Sequence, residues 1–205
     1  LVLSVIIRIA QFTGACRTAI QNESFTMTRI APVSLAQADA TTQATLNGVK
    51  AKLGMVPNLF ATFAQAPAAL NGYLAFSDAL SKGRLSAAQR ELIALAVGQT
   101  NACQYCLSAH TLIGKGAGLS EAAIRAARSG TAEGEQDKAL VELAIKIVRQ
   151  RGVLADSDLA DAAAAGVDHG LVIEVTANVA LNVLTNYTNH IADTDVDFPA
   201  VPVAL

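Results

Sequence analysis

With 205 residues, 52% of them hydrophobic and 16% charged, the chain can bury a substantial core as one domain, and its length permits two at most. A formal net charge of −2, with no basic run, no aromatic ladder and no tryptophan, leaves no electrostatic footprint for nucleic acid and favours a small or proteinaceous partner. No apolar run reaches the ~18 residues that span a bilayer, so no membrane partner is expected. Three cysteines, two of them in one motif, suit a cytoplasmic redox site better than a secreted disulfide framework.

Residues 1–26 fit poorly with the rest. Leu1 to Ile7 is apolar but has no basic region before it, Arg8 interrupts it, and the first methionine is Met27. The expectation is a non-core N-terminal extension over 1–26, which gives Cys16 no role, and a single domain over 27–205. From Thr41 to Lys52 the pattern is helical and Leu53-Gly54 ends it. After a turn at Val56-Pro57-Asn58, a short helix runs to Gln65 and Pro67 opens another through Leu80. Ser86 and Gln89 stand at capping-box spacing before a helix in which Glu91 heads Leu92 to Val97, a run apolar nearly all round and hence buried. Glu91 is then either paired or a solvated carboxylate near the helix start, favoured there by the dipole.

Downstream, Asn101 is expected to cap the next helix, and Gly114, Gly116 and Gly118 to end it. These glycines lack the strand and the Lys-Ser/Thr ending of a phosphate loop. Further helices are expected over Ser120 to Arg128, over 136–150 with Leu140, Leu143, Ala144 and Ile147 on one face, after a cap at Asp156-Ser157, and from Leu171 to Ile191. Asp193 to Leu205 reads as an extended tail laid on a neighbouring subunit. No segment alternates as a strand does, so the fold class is all-α, a helical bundle.

The chemistry concentrates in Cys103-Gln-Tyr-Cys106-Leu-Ser-Ala-His110. Two cysteines at C-x-x-C spacing can cycle between dithiol and disulfide. With Asn101 as N-cap, Cys103 falls at the second helical position, where the dipole favours a thiolate. At about 100° per residue, Cys103, Cys106 and His110 share one face and Tyr105 points away. Cys106 and His110 are i,i+4 neighbours, so the imidazole can take the thiol proton or stabilise the thiolate. Competing readings are two buried small hydrophobes, a zinc site completed by His110 and Glu91, which would lack the usual second close pair, and a structural disulfide. Asn186 and His190 repeat the i,i+4 spacing of Cys106 and His110, a faint echo; His190 and His169 are read as hydrogen-bonded structural histidines.

Glu91, eleven residues, Cys103-x-x-Cys106, three residues and His110 resemble the E-x11-C-x2-C-x3-H motif of the alkylhydroperoxidase D family within the carboxymuconolactone decarboxylase superfamily. Val56-Pro57-Asn58-Leu59-Phe60 and the ending Asn189-His190 to Phe198-Pro199 look like its peroxidase-related branch, over roughly residues 40 to 200. One departure is Tyr105, where well-studied members carry a second histidine. The resemblance implies a helical fold of that type and a thiol-dependent peroxidase. His110, oriented by Glu91, would deprotonate Cys106, the resulting thiolate would attack a peroxide, and Cys103 would resolve the sulfenic acid. It implies no metal, haem or flavin, an external thiol reductant, and a homo-oligomer, trimer or hexamer. By position, Cys103 is expected to be the more exposed sulfur, the one that meets the reductant. A thiol-disulfide oxidoreductase or redox sensor acting on proteins would use the same residues, and a decarboxylase-like lyase remains the third reading.

Overall fold

Every regular element among residues 28–205, the part of the chain that the computed structural model describes, is a helix. In order these are α1 (Ala40–Leu53), α2 (Asn58–Phe63), α3 (Pro67–Leu80), α4 (Ala87–Thr100), α5 (Gln104–Gly116), α6 (Glu121–Arg128), α7 (Glu135–Gln150), α8 (Asp156–Ala164) and α9 (His169–Ala192). The extension expected over 1–26, with Cys16, lies outside the described residues.

Local chemistry sets most boundaries. Asp39 starts α1 by accepting from the Thr41 and Thr42 N–H groups, and Gly54 ends it at φ 80°, a left-handed geometry that glycine adopts without a Cβ clash. At α4 the capping box is complete: Gln89 N–H donates to Ser86 Oγ at 3.1 Å and Ser86 N–H to Gln89 Oε1 at 3.0 Å. Two boundaries differ from expectation. Helix α9 begins at His169, two residues early, because the Asp168 carboxylate accepts from Leu171 N–H. Asp156 and Ser157 lie inside α8 rather than capping it; Ala155 is the N-cap, its N–H held by the Asp158 carboxylate at 2.9 Å.

The all-round apolar character of α4 makes it the axis of the fold. Leu92 to Gly98 are buried without a break. Ile93 and Val97 pack against Leu140, Leu143, Val175 and Val179 of α7 and α9, while Leu92, Leu95 and Ala96 meet Leu107 of α5, Ile124 of α6 and Val141 of α7. A third cluster joins Leu46, Leu59, Phe63 and Leu70 of α1 to α3 to Cys103, Tyr105 and Cys106, so the N-terminal helices form a layer over the cysteines. No single helix among the described residues is long and apolar enough to cross a membrane.

The C-terminal tail, expected to lie on a neighbouring subunit, packs on its own chain. Asp197 accepts from Asn58 N–H at 2.7 Å, Val201 N–H donates to Ser108 Oγ at 3.0 Å, and Arg128 and Gln99 donate to the Pro202 and Val203 carbonyls. These polar anchors press Val196 and Phe198 onto the cysteine cluster and Val201 and Val203 onto the α4–α6 cluster.

Leu95 is fully buried on α4, the helix that two of the three core clusters share. Leu95→Ala is expected to lower stability by about 2–5 kcal/mol, measured by chemical denaturation. Ile173→Ala, at a residue 68% exposed, should change it by no more than about 0.5 kcal/mol.

Candidate active site

The site is built on a sharp corner between α4 and α5. Asn101 closes α4, donating its N–H to Val97 O, Ala102 takes φ 54° in the left-handed region, and Cys103 N–H returns to Gly98 O at 2.9 Å. A residue at positive φ cannot continue a right-handed helix, so α5 starts two residues later than expected. Asn101 is therefore the C-cap of α4, and Cys103 is the N-cap of α5, not its second residue. Its sulfur accepts from Cys106 N–H at 3.3 Å, which aims the helix N-terminus at Cys103.

Cys103 and Cys106 are joined as a disulfide, with Cα atoms 5.3 Å apart. The expected exposure of Cys103 is not met: it is 1% exposed and Cys106 3%, because the α1–α3 layer and the tail cover both. Only Cys106 of the pair borders a cavity of about 220 Å³. Its walls are largely apolar, with Phe60, Tyr73, Tyr105 and Phe198 contributing rings and the half-exposed Leu53, Leu112 and Ile113 bringing it to the surface.

His110 borders the same cavity and pairs with Glu91 across the α4–α5 contact, Nδ1 to Oε2 at 2.8 Å. Both side chains are mostly buried, at 20% and 14% exposure, so Glu91 is a paired carboxylate and not a solvated one. An ionised carboxylate only accepts, which places the proton on Nδ1 and leaves the Nε2 lone pair available as a base. His110 makes no hydrogen bond to Cys106, although the two are one turn apart; the imidazole turns to α4 and the sulfur to α9.

On α9, Asn186 Nδ2 lies 3.0 Å and Asn189 Nδ2 3.4 Å from Cys106 Sγ. Sequence reasoning noticed Asn186 only as an echo and missed both as site residues. The signal was a run of amide side chains at Asn178, Asn182, Asn186 and Asn189 on the buried face of α9, beside Leu171, Val175 and Val179. His190 acts structurally, donating from Nε2 to Asn101 O at 3.0 Å, while His169 is an exposed residue at the start of α9.

Tyr105 does not point away from the site. It is buried, stands edge-on to Phe198 at 5.5 Å, and accepts the Leu59 N–H at the start of α2 at 3.1 Å. Burial, reinforced by the Asp197 carboxylate, pushes its phenol far above the usual range, so it stays neutral. Across the cavity, burial pushes Tyr73 up to about 12, with the Glu91 charge adding to the effect. Among the described residues, no three His, Cys, Asp or Glu side chains are grouped to hold a metal ion.

Residues 63–135, which contain Glu91, both cysteines and His110, match the model of the Carboxymuconolactone decarboxylase family. The protein has the fold of the alkylhydroperoxidase D-like, carboxymuconolactone decarboxylase superfamily. Similar solved structures include the alkylhydroperoxidase AhpD core, an uncharacterized peroxidase-related protein from Ralstonia eutropha JMP134, with 23% identity over 83% of this chain and 93% of that one and a TM-score of 0.76. A peroxidase-related protein from Silicibacter sp. TM1040 follows with 22% identity, 83% and 93% coverage and a TM-score of 0.71. The debrominase Bmp8 in complex with 2,3,4-tribromopyrrole has 18% identity, 84% and 93% coverage and a TM-score of 0.71. No curated protein matches the chain.

Tyr105→Phe would leave the Leu59 N–H buried without its acceptor. A loss of about 1–3 kcal/mol is expected, read from the denaturation midpoint.

Proposed function

We propose that the protein is a thiol-dependent peroxidase that reduces organic hydroperoxides at Cys106. The observation that carries this reading is the convergence of Cys106, half of a C-x-x-C pair, and the His110–Glu91 pair on one apolar cavity.

In the reduced enzyme, His110 Nε2 takes the Cys106 proton directly or through water, and Glu91 stabilises the imidazolium through Nδ1–H. The thiolate attacks one peroxide oxygen, the O–O bond breaks, and the alkoxide leaves as alcohol with the proton from His110. Cys106 is now a sulfenic acid. Attack by the Cys103 sulfur expels water and forms the disulfide. An external thiol reductant then attacks Cys106, the sulfur that borders the cavity, and expels Cys103 as a thiolate that the Cys106 N–H and the α5 N-terminus receive. A second thiol on the reductant completes the return to the dithiol. Further copies of the chain, in a trimer or hexamer, would cover the exposed Leu184, Tyr187 and Ile191 on one side of α9.

The ring-lined cavity also suits a second reading, reductive dehalogenation of a flat aromatic halide, the kind of ligand that the debrominase neighbour holds. There the dithiol would supply two electrons and two protons, releasing the arene and hydrogen halide with formation of the same disulfide.

Consumption of cumene hydroperoxide with excess dithiol tests the proposal. Wild type is expected to turn over, Cys106→Ser to lose activity, and Cys103→Ser to form a sulfenic acid on Cys106 without a catalytic cycle. Glu91→Gln should slow disulfide formation by about 10–100-fold, since it removes the group that orients His110. Halide release from a bromopyrrole without peroxide consumption would replace the first reading with the second.

A further inference from the structure

Along the buried face of α9, Asn178 and Asn182 turn their amides back on their own helix, donating to the Glu174 and Asn178 carbonyls at 2.8 Å each. Thr185 does the same toward Asn182. Asn186 and Asn189 break the pattern and turn their amides to Cys106. Asn186 is 0% exposed and is held from the far side, its Oδ1 accepting from Asn101 Nδ2 at 2.8 Å. Asn101 is fixed in turn by His190, which binds its carbonyl at 3.0 Å. A disulfide sulfur carries no hydrogen and can only accept. The amide nitrogen of Asn186 must therefore face it, and the Asn101 donor enforces that orientation.

A buried amide spent on a disulfide sulfur makes a weak bond in exchange for a full desolvation cost. The same donor facing a thiolate makes a charge-assisted bond, which is roughly twice as strong. Among the described residues, no other group around Cys106 fills that role: His110 bonds Glu91, the Tyr105 hydroxyl meets Leu59, the Thr185 hydroxyl donates to the Asn182 carbonyl, the helix N-terminus is aimed at Cys103, Tyr73 stands across the cavity, and His190 is bound to Asn101.

We infer that Asn186, supported by Asn189, is a catalytic residue whose side-chain amide stabilises the Cys106 thiolate, and that Asn101 is the positioning residue that aims it. The inference rests on the dithiol chemistry proposed above but not on peroxide as the substrate. It assigns the two sulfurs different principal anion sites, the side-chain amides for Cys106 and the α5 N-terminus for Cys103, with Asn189 Nδ2 reaching the Cys103 sulfur only at 4.0 Å.

The test uses the full chain with Cys16→Ser and Cys103→Ser, so that Cys106 is the single thiol, and follows the rate of iodoacetamide alkylation against pH. Asn186→Leu is expected to raise the midpoint by about one to two pH units, Asn186→Asp to raise it further by placing a negative charge beside the sulfur, and Asn101→Ala to raise it by less. Circular dichroism checks that each variant is folded; should Asn186→Leu fail to fold, Asn101→Ala decides. Midpoints that stay at the parent value in the folded variants overturn the inference. Shifted midpoints in a protein that consumes no peroxide uphold it and remove only the peroxidase reading, whereas peroxide turnover with unshifted midpoints removes only this inference.

Discussion

The left-handed turn at Ala102 is the constraint on which the site depends. With Cys103 N–H tied to Gly98 O, α5 leaves α4 at a corner instead of after a loop, and the register of α5 is fixed against α4 from its first residue. That register brings His110 back alongside Glu91 and turns Cys106 toward α9. A non-glycine residue at positive φ costs on the order of 1 kcal/mol or more, and the packing of α4 and α5 through Leu92, Leu95 and Leu107 holds it there. Core packing thus sets the geometry that the chemistry uses.

Three influences compete for the charge on a reduced sulfur, and their magnitudes separate them. The helix terminus contributes about 0.3–1 kcal/mol and is directed at Cys103. Hydrogen bonds from buried amides to a charged acceptor contribute about 1.5–3 kcal/mol each and are directed at Cys106. The imidazole is not bonded to either sulfur; anchored by Glu91 at the cavity, it is placed to move protons rather than to hold a permanent ion pair with the thiolate. The nucleophile role proposed for Cys106 therefore rests on α9 and on access, and less on the i,i+4 spacing to His110 that first suggested it.

Much of this was legible in the sequence. Periodicity, the Ser86–Gln89 box and the unbroken apolar run after Glu91 gave an all-α bundle with α4 inside, and the motif spacing brought out the four residues that the fold assembles. The failures have identifiable causes. Nothing marks Ala102 as left-handed, since asparagine or glycine is the usual sign, so Asn101 looked like a cap and Cys103 like a helical residue. A helical wheel gives the angle of Tyr105 but not the layer of α1 to α3 that closes over it, and the exposure of Cys103 was misjudged for the same reason. Asn186 and Asn189 went unassigned because an asparagine on a helix reads as surface until a sulfur 80 or more residues away in sequence is placed against it.

The burial of Cys103 has a consequence for the order of events. Both half-reactions of a dithiol cycle need a sulfur that an outside molecule can reach in line, and only Cys106 borders the cavity. In the proposed cycle, oxidant and reductant then use the same opening and cannot occupy it together, so that cycle alternates instead of passing through a complex that holds both. The role proposed for Cys103, internal nucleophile in one half and leaving group in the other, suits a buried sulfur beside a helix N–H, since neither task requires it to meet solvent.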